Sequence, residues 1–290
     1  MNLVFIHGRD QQGKDPIALQ SEWRHTLVEG LTKVGLELPD DVEILFPFYG
    51  DKLAELIQQL DAPLVADVIA KGGAADNKEA AFRGEILYEM ATNSGISDAE
   101  IQAYYAGLPQ EKGPLNWEWV QAILRALDRT PLGDSTIDRF TRDVYVYLTY
   151  KVVRKAIDAI VESVFTTDGP YVVVGHSLGS VVGYNVLSKL ATTKLIRGYI
   201  TVGSPLGIKA IKKQLDTPLA MPDCVSEWYN AMDDRDVVAL YPLNAQNFPI
   251  TPSITNKTNV NNHTENRHGI VGYLNDHDVA KRIYQALRDD

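Results

Sequence analysis

The chain has a single cysteine, Cys224, so no disulfide can close within it, and no Cys-x-x-Cys pair or Cys/His cluster at zinc spacing exists. A reducing compartment is the simpler expectation, and no metal or cofactor is implied. Positive charge is also scarce. Against 38 Asp and Glu stand 28 Lys and Arg, for a net charge of −10. Such a surface is poorly suited to neutralising phosphates, which argues against nucleic acid and anionic membrane as partners. A small or neutral substrate fits better. Long apolar runs are missing as well. The stretch Leu3 to Ile6 is too short for a signal core, no basic segment precedes it, and no uncharged run approaches the ~20 residues a spanning helix needs. The expectation is a cytoplasmic protein whose fold begins close to Met1. No internal repeat is evident.

What the 290 residues do contain is an ordinary globular balance, 45% apolar and 23% charged, enough for one large core or two modest ones. Short β-branched runs alternate with helical periodicity. Leu3 to Ile6 reads as a strand, about Ile17 to Val34 as an amphipathic helix, and Val42 to Phe48 as a second strand. Later runs at Tyr171 to Val174, Leu195 to Val202 and Val225 to Met232 also read as strands. After the last of these, Asp233 to Asn262 carries little periodic signal, and a helix from about Asp276 to Leu287 ends the chain.

Residues 51–135 differ in character. They read as helices without a convincing strand: Lys52 to Leu60, Lys78 to Ala91, Ser97 to Ala106 and Trp117 to Leu127. Ser97 and Glu100 form a capping box, and Asn116 can cap the Trp117 helix. Glycines and prolines punctuate the stretch, with Gly72-Gly73 and Gly133 as plausible hinges. One long helix then runs from about Ser135 to Phe165. The expected fold is α/β, a mostly parallel central sheet flanked by helices, with a core of residues 1–50 and 136–290 and a helical cap of 51–135. Cap aromatics Phe82, Tyr88, Tyr104, Tyr105, Trp117 and Trp119 are expected mainly to pack its helices, with one or two shaping an acyl pocket.

The most informative segment is Gly175-His176-Ser177-Leu178-Gly179, set between the strand Tyr171 to Val174 and a helix from Leu178 to Leu187. A G-x-S-x-G turn puts its serine in a strained conformation at the crest between strand and helix, pushing the hydroxyl into the open. Ser177 is therefore the candidate nucleophile. A serine hydroxyl is weak at neutral pH and needs a base, which in turn needs a group to fix its tautomer. Candidates follow in the order serine, acid, histidine, each after a strand. Asp236 enters the short apolar turn Val237-Val238-Ala239 and is the preferred acid, with Asp234 second; Asp233 and Asp234 look solvated, neutralised by Arg235. Of six histidines, His7, His25 and His176 precede the serine, leaving His263, His268 and His277. His268 is preferred, because His263 lies in an Asn-rich loop and His277 in the first turn of the last helix. An oxyanion would be held by the backbone N–H groups of Leu178 and, from the loop after the first strand, of Arg9, with Asp10 as fallback.

Taken together, the opening strand with HGRD, the elbow GHSLG, the strand with TVGSPLG, the acid loop DDRDVVAL and the segment RHGIVGYL resemble serine hydrolases of the α/β-hydrolase fold, of the esterase and lipase type. The resemblance spans residues 3–50 and 136–290. It implies a Ser-His-Asp triad, an acyl-enzyme on Ser177, a cap over the pocket, and a small ester, thioester or other acyl substrate. Two rivals remain. Gly8 to Lys14 fits G-x-x-x-x-G-K, but Asp15 stands where a phosphate-binding loop needs Ser or Thr. A catalytically silent hydrolase fold serving as a binding module is the other.

Overall fold

The inner strands of the sheet coincide with the short apolar runs of the sequence. The computed structural model describes residues 1–70, 77–105, 117–127 and 134–288. The chain opens with β1 (Asn2–Ile6), followed by α1 (Pro16–Thr32) and β2 (Glu43–Leu45). Helices α2 (Gly50–Ala70), α3 (Asn77–Asn93), α4 (Asp98–Gln102), α5 (Trp117–Leu127), α6 (Asp134–Thr149) and α7 (Lys151–Glu162) come next. The remainder alternates: β3 (Tyr171–His176), α8 (Leu178–Leu187), β4 (Ile196–Val202), α9 (Lys209–Lys212), β5 (Trp228–Ala231), β6 (Thr255–Lys257), α10 (Ile270–Leu274) and α11 (His277–Arg288).

Among the described residues six strands pair in parallel in the order β2-β1-β3-β4-β5-β6, so the architecture is α/β with one open sheet. The order reverses at β1. From there the chain goes outward to β2, then returns to lay β3 on the other side, so the connections leaving β1 and β3 run in opposite directions, and residues that follow both strands line a cleft at the strands' carboxyl ends.

Alternation along the strands fills both faces of the sheet. Leu3, Phe5, Val172, Val174, Ile200 and Val202 meet Trp23, Leu27 and Leu31 of α1 and Val279, Ile283 and Leu287 of α11. On the other side Val4, Ile6, Val173 and Tyr199 meet α8, which is buried along its whole length. Phe82, Ile86, Ile123 and Leu124 from α3 and α5 belong to that second cluster, so the described part of the insertion shares its core with the sheet.

Several expectations need correction. The predicted helix over 135–165 is two helices, broken at Tyr150, whose backbone is extended (φ −90, ψ 101). Arg154 stabilises the break by donating to the Leu148 carbonyl, one of those that the end of α6 leaves without a helical partner. Strand β6, Thr-Asn-Lys, lies within the segment that carried no periodic signal; at three residues on the sheet edge it has no apolar alternation to reveal it. In the Val225 run only the end pairs as β5, with Val225 itself in an isolated bridge to Ile196. The Asn116 cap and the hinges Gly72-Gly73 and Gly133 lie outside the described residues.

Candidate active site

Sharp chain reversal creates the centre of the site. Ser177 follows β3 at φ 54 and ψ −127, a backbone conformation that side-chain-bearing residues rarely adopt, and α8 begins at the next residue. The flanking glycines are required by close approach. A side chain at 179 would run into the carbonyl oxygens of Ile6 and His7 at the end of β1, and one at 175 would press on the Ser180 backbone. Ser180 Oγ donates to the Ser177 carbonyl (2.6 Å) and meets Ser204 Oγ (2.7 Å), a buried polar prop beneath the turn.

Ser177 Oγ lies 2.8 Å from His268 Nε2, and His268 Nδ1 lies 2.8 Å from Asp236 Oδ2. A carboxylate can only accept, so Nδ1 carries the proton. Nε2 is left as the acceptor for the serine hydroxyl. The three residues are far apart along the chain and come from the ends of β3, β5 and the loop before α10. Ser177 is only 1% exposed. Its hydroxyl sits at the floor of a cleft rather than out in solvent, as the turn alone had suggested.

Asp236 is fully buried, and its carboxylate accepts four donors. Val238 N–H (2.8 Å) and Ala239 N–H (3.3 Å) bind Oδ1, while His268 Nδ1 and the Tyr273 hydroxyl (2.6 Å) bind Oδ2. Burial on its own would raise this carboxyl, but the charge and hydrogen bond of His268, with Tyr273 and Val238, hold it below the usual carboxylate range. Tyr273 is the reverse case: burial and the adjacent Asp236 raise its phenol well above its ordinary value, so it remains a donor.

The second-choice acid, Asp234, is 78% exposed and pairs with Arg235 at 3.7 Å. Asp233 is not solvated as expected. It is buried, accepting the N–H groups of Arg235 and Asn262 (both 2.8 Å), and so ties the acid loop to the loop that carries the base. In that second loop Asn262 takes Thr264 N–H and hydroxyl on Oδ1 and donates to the Gly269 carbonyl, while Asn266 accepts from His268 N–H. His263 is exposed. His277 opens α11, pairs with Asp278 and is also exposed.

Two further histidines flank the centre and stay neutral. Burial first, and then the neighbouring His268, lowers the His176 imidazole to about 3; its Nε2 donates to the His268 carbonyl at 2.8 Å. His7 is lowered to about 4, mainly by burial. Its Nε2 accepts from Tyr49 N–H (3.0 Å), so Nδ1 donates to the Gly8 carbonyl (2.6 Å). In a planar trans peptide the N–H points opposite the C=O. Holding the Gly8 carbonyl therefore turns the Arg9 N–H away from His7. The Arg9 side chain is committed elsewhere, to Asp10 through two bonds and to Asp143 at 2.7 Å. Asp10 sits at φ 60. Leu178 is the first residue of α8, where an N–H has no partner within the helix.

The cleft has a volume of about 310 Å³. Leu19 and Trp23 of α1, Ile137 and Phe140 of α6, Val238 and Ile270 give it apolar walls, while Arg9, Asp10, Lys14 and Glu22 contribute opposite charges in equal number. Among the described residues no insertion aromatic lines it, and the Trp117 side chain lies outside them. Phe82, Tyr105 and Trp119 are buried in the core, Tyr105 edge-on to Trp119 at 5.3 Å, and Tyr88 is exposed.

Sequence reasoning missed Tyr273, Asn262, Asp233 and Tyr49. Only Tyr273 left a trace, as a polar-tipped residue in the apolar run after His268. Among the described residues no group of His, Cys, Asp or Glu is arranged to hold a metal, and no helix is long and apolar enough to cross a membrane. Comparison with protein-family models, with curated proteins and with solved structures finds no match to this chain.

Proposed function

We propose that this chain is a serine hydrolase of the α/β-hydrolase type, cleaving esters or thioesters of small acyl groups through an acyl-enzyme on Ser177. The observation that carries the reading is the relay Ser177 to His268 to Asp236, both links 2.8 Å, at the floor of a cleft. His268 takes the serine proton as Oγ attacks the carbonyl carbon, and Asp236 stabilises the imidazolium that results. The same proton then goes to the leaving alcohol or thiol. Water, deprotonated by His268, releases the acid and restores Ser177.

Negative charge on the carbonyl oxygen would be met by the N–H groups of Leu178 and Arg9, worth several kcal/mol in the transition state. The balanced charges around the cleft favour a neutral substrate. The Gly8 to Lys14 loop is a poor phosphate cradle, since Gly13 N–H already donates to the Asp51 carboxylate (2.6 Å) and Asp15 caps α1. The test is labelling with a fluorophosphonate probe, followed by a panel of p-nitrophenyl esters and thioesters. The reading expects labelling that Ser177→Ala abolishes, with turnover lost in parallel. A folded protein that takes no label and turns over no ester would instead be a binding module built on this fold.

A further inference from the structure

We infer that Tyr273 is a positioning residue that sets the strength of the bond between Asp236 and His268, and with it the pH at which the imidazole can act as a base. The inference rests on the hydrolase reading for its catalytic meaning, but its physical content does not. The direction of every bond in the chain is fixed. Asp233 N–H donates to the Tyr273 oxygen (3.3 Å), so the phenol proton is directed to its other neighbour, Asp236 Oδ2, at 2.6 Å. That same oxygen accepts the His268 Nδ1 proton. Two donors on one oxygen compete for its charge: what Tyr273 withdraws is no longer available to hold a proton on the imidazole.

The arrangement is tightly fixed. Tyr273 is wholly buried on α10, its ring packed toward His176 (6.2 Å) and Gly203. The backbone N–H groups of Val238 and Ala239 hold the other oxygen, so the carboxylate cannot rotate to separate its partners. The other ionisable groups facing His268 are few. From β3 comes His176, neutral, with its ring 4.9 Å away; from the β1 loop come Arg9 and Asp10, paired with each other; across the cleft on or near α1 lie Lys14 and Glu22; behind the acid lies Asp233 with Arg235 and Arg267. Tyr273 alone among them donates to the oxygen that His268 uses.

The comparison is the parent protein against Tyr273→Phe, which keeps the ring and removes the donor. Proton NMR reads the hydrogen-bonded Nδ1 proton of His268 without any need for turnover. Loss of the competing donor should move that resonance downfield, and the acid limb of the kcat/KM profile should rise by about half a pH unit to one unit, the scale of one hydrogen bond. A more acidic fluorotyrosine at 273 keeps both ring and hydroxyl, and should move the resonance the other way. It decides the matter if the Phe variant does not fold. A resonance unmoved in the folded variants, or a kcat reduced equally at all pH values, overturns the inference and leaves Tyr273 a packing residue. If the parent hydrolyses nothing, the functional reading fails while the resonance still reports on Tyr273.

Discussion

A Cβ on Gly8 would lie 3.0 Å from the Cβ of Ser177 and 3.3 Å from the His176 carbonyl. The loop leaving β1 therefore presses its bare backbone against the elbow that leaves β3. That contact follows from the strand order, which makes β1 and β3 neighbours although the intervening chain runs from residue 7 to 170. It also brings the Arg9 peptide near the serine.

Gly8→Ala is the sharpest test of this contact. The new methyl group meets backbone and a buried side chain, neither of which yields cheaply, so the β1 loop must shift and carry the Arg9 N–H with it. Losing one oxyanion donor typically lowers kcat by about 10²-fold or more. The expected outcome is such a loss with KM changed little, and an unfolding midpoint within a few degrees of the parent. Full activity in a folded Gly8→Ala protein would place the second donor elsewhere than Arg9.

Asp236→Asn should reduce kcat by about 10³ to 10⁴-fold. The amide cannot satisfy its surroundings in either orientation. With its NH2 toward His268 the imidazole must change tautomer and lose its acceptor at Ser177; with its NH2 toward Val238 and Ala239, donors face donors. Stability should also fall, by about 1 to 3 kcal/mol, for the buried group left unsatisfied. Rates and denaturant unfolding on the same preparation check both.

Stability should decline with acid well before the carboxylates titrate. His7 and His176 are lowered from 6.5 in the unfolded chain to about 4 and about 3 in the folded one. Below pH 6.5 the unfolded state binds two protons that the folded state refuses, so the stability they contribute is full above that pH and lost as pH falls. The slope approaches about 2.7 kcal/mol per pH unit for two groups between pH 6 and 4. Asp236, held low, adds a loss of the same sign at still lower pH, whereas Asp143 and Asp158, raised by burial, act in the opposite sense. Unfolding free energies at pH 7, 6 and 5 should show a slope that steepens toward this limit. Replacing both histidines by asparagine should flatten it.

Much of this was legible in the sequence, for identifiable reasons. Buried parallel strands declare themselves through unbroken apolar runs, and the G-x-S-x-G turn declares itself because its glycines answer to backbone contacts rather than to any side chain. Ser177, His268 and Asp236 could be named because the proposed chemistry needs those residue types in loops that follow strands, and the structure brings the three side chains together. Where side chains act through tertiary hydrogen bonds, the sequence is silent. Asp233 and Asp234 are identical neighbours, yet one is buried and bound while the other is in water. The Asn-rich loop read as low in information because its order comes from Asn262, Thr264 and Asn266 bonding to one another and to Asp233, which has no period.

That loop gives the final prediction. Asn262 is wholly buried, and its side chain holds Thr264 and the Gly269 carbonyl on either side of the turn that presents His268; Arg267 within that turn adopts φ 52. Asn262→Ala removes three bonds to partly buried partners, at a cost of about 1 to 3 kcal/mol. Because the strained turn then loses its brace, the imidazole should drift from Ser177, lowering kcat by more than about 10-fold at temperatures where the protein stays folded. The exposed histidines are the controls. His263→Ala, one residue away, and His277→Ala should each leave kcat within about twofold, as expected of surface positions. Loss of turnover in His263→Ala but not in His268→Ala would give the role of base to the other end of the loop, and would require that loop to refold around a different hydrogen-bond pattern from the one Asn262 holds.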